Sequence, residues 1–304
     1  MIKVKIPATS ANLGSGFDCL GIALKLYLYL ECEYNPGKKI DLEFQGEGAE
    51  EFSTQQANLI RKAINLVLKK NQKINPQSGL KIKVINEIPV GRGLGSSAAA
   101  ILGGIISVAQ FLNLNLDPTE ILKLAFQLEE HPDNLVPALV GGLTIAYKSE
   151  QGEIKWNKIE LPKELSLILA VPDFALNTRM MREILPVKIP LNDVVYNIGR
   201  VALLVNALNN SNWEVLGEAM RDKLHQPYRT PFIPGANELF YKIKRTNLGG
   251  VALSGSGPSL LSFTRKGSEE TIKKVMEDVF VKAGVNCRIL TLEPDQEGIS
   301  VINV

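Results

Sequence analysis

The sequence predicts a two-domain α+β protein. Three observations carry that expectation: the length, a strand-like alternation at the N-terminus, and a succession of strand, glycine-rich loop and apolar helix ahead of the chain's midpoint. At 304 residues the chain is near the size at which a single hydrophobic core stops growing and divides. Its 45% hydrophobic and 22% charged residues are those of an ordinary globular protein. Lys and Arg number 34 against 32 Asp and Glu, a net charge of +2, so no broad basic field exists to attract nucleic acid or anionic lipid.

Ile2, Val4 and Ile6 alternate with Lys3 and Lys5, the period of a half-buried strand and not the pattern of a signal peptide. The loop Pro7 to Asp18 is rich in turn formers and small polar side chains. Leu20 to Tyr34 and Ile40 to Phe44 then read as strands separated by the turn Asn35-Pro36-Gly37, so the chain is expected to open as a β-meander. The longest apolar run, Leu20 to Leu30, contains Lys25 and is shorter than the roughly 20 residues a membrane-spanning helix needs.

Asn58 to Lys70 has helical spacing, and Leu80, Ile82 and Val84 alternate with lysines as a further strand. Past the glycine-rich loop, Ala98 to Leu112 reads as a long buried helix. Asp117, Pro118 and Glu120 announce another helix, expected to run to about Glu130. Glu120, Lys123, Gln127 and Glu130 form one solvated stripe on it, and Glu129 lies off that stripe beside Ile121, Ala125 and Leu128. A carboxylate on the covered side of a helix is costly unless something pairs with it.

Ser149 to Pro162 is polar and loop-like, which sets the expected domains at 1–155 and 156–304. The second begins with a strand at Leu165 to Val171. Helical stretches follow near Arg179 to Leu185, Asp193 to Leu208 and Trp213 to Leu224. It closes with a hairpin at Gly249 to Phe263, a helix at Ser268 to Ala283 and a strand at Cys287 to Leu292. Each half is expected to be a sheet with helices on one face.

The chemistry begins at Pro89-Val90-Gly91-Arg92-Gly93-Leu94-Gly95-Ser96-Ser97-Ala98-Ala99. Glycines leading into a helix expose backbone N–H groups and the positive end of the helix dipole, which together bind phosphate. A tight strand-to-helix turn alone would account for one or two glycines. Walker A is excluded because no lysine follows the glycines, and the dinucleotide fingerprint fails because Ser96 stands where its third glycine belongs. A second cluster, Gly249 to Ser259, is as readily a hairpin as a ligand loop, and the two could close over one nucleotide from opposite sides. Taken alone, His131 fits a helix-end histidine, Asp133 and Asn134 fit a turn, and Arg182 and Arg229 fit solvated surface positions. Cys19, Cys32 and Cys287 are too scattered for a disulfide framework or a metal site and are expected to be buried and reduced, in a cytoplasmic protein.

Together these segments resemble the GHMP kinase superfamily of small-molecule kinases. Three motifs match in order, Pro7 to Asp18, Pro89 to Ala99 and Gly249 to Ser259, and the likeness spans nearly the whole chain. The first motif, with His131-Pro132-Asp133-Asn134, Arg182 before Leu185-Pro186, and His225-Gln226-Pro227-Tyr228-Arg229, is most similar to the branch whose acceptor is the amino-acid alcohol homoserine.

The resemblance implies an N-terminal half like ribosomal protein S5 domain 2 and a ferredoxin-like C-terminal half. It implies conversion of ATP and L-homoserine to ADP and O-phospho-L-homoserine, a step toward threonine. Pro89 to Ala99 would wrap the ATP phosphates and Ser97 and Glu129 would hold Mg²⁺. Arg182 and Arg229 would clamp the amino acid's carboxylate. Asn12, Asp18, His131, Asp133 and Asn134 would face its ammonium and hydroxyl, and Asn58 the nucleotide base. Ser97, Glu129 and Asp133 are the expected catalytic residues, with no certain general base. Glu130 stands where the family commonly has glycine, leaving Glu129 or Glu130 as metal ligand, and register favours Glu129. The competing readings are another acceptor, such as mevalonate or a sugar, and a non-catalytic nucleotide sensor. No nucleic-acid or membrane partner is expected, and the oligomeric state is open, a homodimer included.

Overall fold

A computed structural model describes residues 2–35, 40–49, 55–70 and 79–303, so Pro36 and Gly37 of the expected turn lie outside the described residues. The N-terminal half comprises β1 (Ile2–Ala11), β2 (Leu20–Tyr34), β3 (Asp41–Gly46), α1 (Gln55–Lys70), β4 (Leu80–Asn86), α2 (Ser96–Phe111), α3 (Pro118–Ala125), α4 (Pro132–Val140), β5 (Leu143–Lys148) and β6 (Ile154–Ile159). The C-terminal half comprises β7 (Leu165–Pro172), α5 (Thr178–Glu183), α6 (Leu191–Asn209), α7 (Leu216–Ala219), α8 (Gln226–Arg229), α9 (Ala236–Thr246), β8 (Gly249–Leu253), β9 (Leu260–Arg265), α10 (Glu269–Lys282), β10 (Cys287–Leu292) and β11 (Ser300–Asn303).

The first sheet runs β11-β1-β2-β4-β3, with β5 paired to β2 and β6 paired to β5. The expected meander is corrected here. The second half of β2 pairs antiparallel with β4, and β3 pairs parallel with β4 on its far side. Parallel neighbours need a crossover, and α1 supplies it. Leu80 to Asn86 alternates buried and half-buried as its pattern requires.

Ser149 to Pro162, expected as a loop, holds β6, so the 155/156 division falls inside a strand. The last strand, β11, returns to pair with β1. The helix expected to reach Glu130 ends at Ala125, and a further hydrogen-bonded turn, closed by Glu129 N–H to Ala125 O, leads to the proline-led start of α4.

The second sheet runs β10-β7-β9-β8. Every residue of β7 is buried. Its Leu167 and Leu169 join the main core, which continues into the first half. Ile168 and Ala170 instead join a second core with Leu239 and Ile243 of α9 and Ile272 and Met276 of α10. This sheet is therefore covered on both faces, where helices on one were expected, which is why β7 reads as a continuous apolar run. Among the described residues no helix is long and apolar enough to cross a membrane. Cys32 is buried, Cys19 and Cys287 are half-buried, and all three are free.

Candidate active site

The glycine-rich loop lies between β4 and α2. Gly91, Gly93 and Gly95 have φ of +66°, +73° and +70°, left-handed conformations that only glycine adopts freely. The protein takes up one side of this backbone. Leu176 N–H donates to Gly91 O, Ser259 N–H to Arg92 O, Thr9 N–H to Leu94 O and Ala99 N–H to Gly95 O, and Ser254 Oγ donates to Gly93 O at 2.6 Å. Among the described residues, no acceptor takes a backbone N–H from Gly91 through Gly95. A run of carbonyls anchored in protein, with its N–H groups free ahead of a helix N-terminus, forms a concavity for an anion. Ser96 Oγ accepts from Gln56 Nε2 at 3.4 Å, and Ser97 is half-buried. Leu94, Ala98 and Ala99 are core residues. Arg92 turns away, donating from Nε to Pro172 O and from Nη1 to Val90 O. With Pro89 and Val90 it borders a cavity of about 850 Å³ that reaches Glu47, Asp173 and Arg288.

The second glycine cluster braces the first. A Cβ on Gly93 would lie 2.1 Å from Ser254 O, so the two loops touch directly and do not face one another across a ligand. Gly255 N–H donates to Ala11 O, and Asn12 Nδ2 donates to Gly255 O at 2.9 Å. All three motifs thus meet at one point.

The loop after β1 is the most distorted segment nearby: Asn12, Leu13 and Asp18 have φ of +70°, +47° and +56°, each a strained conformation for a residue with a side chain. Asn12 holds it, its Oδ1 accepting from Asp18 N–H at 3.0 Å. Asp18 in turn receives Arg182 in a bidentate pair at 2.7 and 2.9 Å, which holds the guanidinium above its ordinary pKa. Arg229 is only 2% exposed, and burial, then Arg182, push it down to about 10. Its Nε donates to Met181 O, and its Nη1 donates to Gly255 O and His225 Nδ1. Among the described residues its Nη2 has no acceptor. Both guanidiniums approach the Phe17 ring, at 5.4 and 5.5 Å. Arg229 is therefore buried where periodicity alone suggested a solvated residue, and Arg182 is half-buried and ion-paired.

His131, Asp133 and Asn134 open α4 with Pro132 at its first position, so they form a helix start and not a simple turn. Asn134 Oδ1 accepts from Thr9 Oγ1 at 2.8 Å, which seats this helix against the glycine-rich loop: a Cβ on Gly95 would lie 2.0 Å from Thr9 Oγ1 and 3.2 Å from Asn134 Oδ1. On the other side Gly21 admits the Asp133 carbonyl, which would sit 1.8 Å from any Cβ there.

Asp133 is 2% exposed, and among the described residues its Oδ1 has no partner. Burial, then Asp18, pushes its carboxyl up to about 7. Such an oxygen is costly to leave unpaired, and its position suits a cation or a hydrogen-bond donor. Glu129 keeps helical register past the end of α3, its N–H donating to Ala125 O. Its Oε1 meets His131 Nδ1 at 2.5 Å, and this contact raises the imidazole pKa. Glu130 is exposed, as its stripe position predicted.

Asn58 is exposed in the first turn of α1, which begins at Gln55, and so does not cap that helix. Sequence reasoning gave no role to Phe17, Gln56, Asp222 or His225. The available signals were the rarity of histidine, with two in the chain, and an Asp three residues before His225-Gln226-Pro227, the spacing of a helix cap.

The GHMP kinases N terminal domain family matches residues 58–142 and the GHMP kinases C terminal family residues 204–282. The chain is 41% identical to the homoserine kinase of Moorella thermoacetica, covering 99% of this chain and 100% of that one. It is also 41% identical to the homoserine kinase of Petrotoga mobilis, covering 100% and 97%. The crystal structure of homoserine kinase from Cytophaga hutchinsonii superposes with a TM-score of 0.88 at 26% identity, covering 99% of this chain and 97% of that one.

Proposed function

Starting from the fact that this chain belongs to the homoserine kinase family of GHMP kinases, we propose that it transfers the γ-phosphoryl group of ATP to the hydroxyl of L-homoserine, giving ADP and O-phospho-L-homoserine on the route to threonine. The observation that carries the reading is the pairing of two complementary sites. One is a backbone loop with five consecutive free N–H groups, from Gly91 to Gly95. The other is a cluster in which Arg182 and Arg229 stand beside Asp18 and the unpartnered Asp133. The first suits a polyphosphate and the second an amino-acid zwitterion.

In this reading the N–H groups from Pro89 to Ala99 that remain free bind the β- and γ-phosphates. Arg182 and the open Nη2 edge of Arg229 bind the substrate carboxylate, and Asp133, with Asp18, binds its ammonium. Asn12, His131 and Asn134 fix the walls around the hydroxyl, and Asn58 borders the nucleotide base. The hydroxyl oxygen forms the new O–P bond as the bond to ADP breaks, and its proton passes to a phosphate oxygen. No side chain is assigned as base, since positioning and charge neutralisation do most of the work in phosphoryl transfer.

Ser97 and Glu129 fit Mg²⁺. The serine is half-buried, and the carboxylate bonds protein only through Oε1, so both present hard oxygen donors. Among the described residues no group of three or more His, Cys, Asp or Glu side chains is placed to hold a metal ion, so nucleotide oxygens would complete the coordination. When bound, the ion would offset charge on the transferred phosphoryl group. The C-terminal half is read as ferredoxin-like on its order β7-α9-β8-β9-α10-β10, and the N-terminal half as like ribosomal protein S5 domain 2.

Measuring ADP release with L-homoserine, mevalonate and galactose in turn tests the proposal. Only L-homoserine is expected to raise the rate, and release driven equally by mevalonate or galactose would overturn the assigned acceptor.

A further inference from the structure

Resting on that reading of the acceptor site, we propose that His225 is a positioning residue for Arg229, holding its guanidinium so that one edge alone faces the substrate carboxylate. The side chain of His225 is fully buried. Its Nε2 lies 2.9 Å from Gly14 O. A carbonyl can only accept, so Nε2 carries the proton. In a neutral ring Nδ1 is then an acceptor. That nitrogen lies 3.2 Å from Arg229 Nη1, which can only donate. The two contacts fix one tautomer between them, and burial, which pushes the ring down to about 4, keeps it neutral.

The surroundings leave His225 no other use. Asp222 Oδ2 is 3.6 Å from Nε2, but the Asp222 carboxylate already accepts the N–H groups of Leu224, His225 and Gln226, at 2.9, 2.8 and 2.6 Å. Those bonds tie down the turn that leads into α8, the single helical turn carrying Arg229. Phe17 stacks on the imidazole at 5.0 Å and 19°, which prevents the ring from turning out of the plane that Arg229 meets. Gly255 O and Met181 O take two further guanidinium hydrogens at 3.1 and 3.0 Å. With Nε and both Nη1 hydrogens committed, only Nη2 remains for a ligand. Removing the acceptor at Nδ1 would leave one hydrogen of a nearly buried cation unsatisfied. The guanidinium would then turn to recover a partner, and its open edge would turn with it.

Two substitutions separate this role from simple packing. His225→Gln keeps a donor for Gly14 O and lacks an acceptor at the Nδ1 position. His225→Asn places an amide oxygen at that position. His225→Gln is expected to raise KM for L-homoserine about tenfold or more, with kcat, KM for ATP and Tm near wild type, and His225→Asn is expected to return KM to within about threefold of wild type. An unchanged homoserine KM in His225→Gln would overturn the proposal. So would parallel loss of kcat, both KM values and Tm in both variants.

Nitrogen-15 NMR of the wild-type chain provides a readout that needs neither substrate nor variant. It should show the neutral Nε2–H tautomer from about pH 6 to 8, with a hydrogen-bond coupling between Arg229 Nη1 and His225 Nδ1. An Nδ1–H tautomer would overturn the proposal even if neither variant folds. A wild-type chain that fails to phosphorylate homoserine but keeps this tautomer and coupling would instead reject the acceptor assignment alone.

Discussion

The glycine-rich loop proposed for phosphate and the side-chain cluster proposed for the acceptor lie side by side and are built in opposite ways. The loop is contiguous and made of backbone: three glycines at positive φ, carbonyls anchored in protein and N–H groups left free. The acceptor cluster is made of side chains from distant segments, Asp18 meeting Arg182 across 164 positions and His225 meeting Gly14 across 211. The loop should therefore be intolerant of an added Cβ, and the cluster intolerant of changes in charge or hydrogen-bonding capacity.

Glu129, which meets His131 Nδ1 and is proposed to hold the metal ion, is expected to give the largest effect. Glu129→Gln should lower kcat about 1000-fold, while Glu130→Gln, whose side chain is exposed, should stay within about threefold. Equal effects in steady-state assays would remove the distinction that register draws between them.

Gly93→Ala attacks the backbone side. Its Cβ would meet Ser254 O at 2.1 Å at a φ of +73°, so roughly 3–5 kcal/mol of stability and about 100-fold in kcat/KM should be lost. Chemical denaturation and turnover measured together check this. A fully active, fully stable variant would mean that the two loops separate readily.

Asp133→Asn should have divided consequences. Burial pushes the wild-type carboxyl up to about 7 in the folded chain, against an ordinary 3.8. The folded state therefore binds the extra proton between these values, and stability falls as pH rises from about 4 to about 7. Above that range the charged, unpartnered carboxylate costs up to roughly 4 kcal/mol. The variant should thus be the more stable protein at pH 8, with little difference near pH 4, while losing about 100-fold in kcat/KM for homoserine. Urea unfolding at the two pH values gives the comparison. A variant less stable than wild type at pH 8 would show that Asp133 is already satisfied without substrate.

Arg182→Lys should raise KM for homoserine about 30-fold and leave KM for ATP within about twofold, because an ammonium cannot hold Asp18 through two parallel bonds. A matching rise in both constants would make the cluster part of the nucleotide site. The smallest effect is expected at Asn58→Ala. That exposed side chain should change KM for ATP by no more than about threefold and stability by less than about 0.5 kcal/mol.

Much of the fold was legible because its signals are local. The alternation from Leu80 to Asn86, the capping box at Asp117 and Glu120, and the hairpin, helix and strand at the C-terminal end all appear in the structure. The errors fell where partners are distant. Nothing in Asp41 to Gly46 says that β4 will insert between it and β2, and nothing in Ser300 to Asn303 says that this segment will return to β1. The polar stretch containing β6 looked like a linker because an edge strand exposes much of its surface.

By itself the sequence marked the glycine-rich loop that is proposed to hold phosphate, because its conformation resides in glycine backbone and a following helix, both written in contiguous residues. It also placed Glu129 on the covered side and Glu130 in solvent, through helical register that persists one turn past Ala125. Tertiary structure alone decided that, among the described residues, Arg229 is buried with one edge free and Asp133 Oδ1 lacks a partner, and that His225 rather than Asp222 hydrogen-bonds Arg229. Those properties depend on distances between side chains far apart in the chain and on how much water reaches them, and no local pattern encodes either.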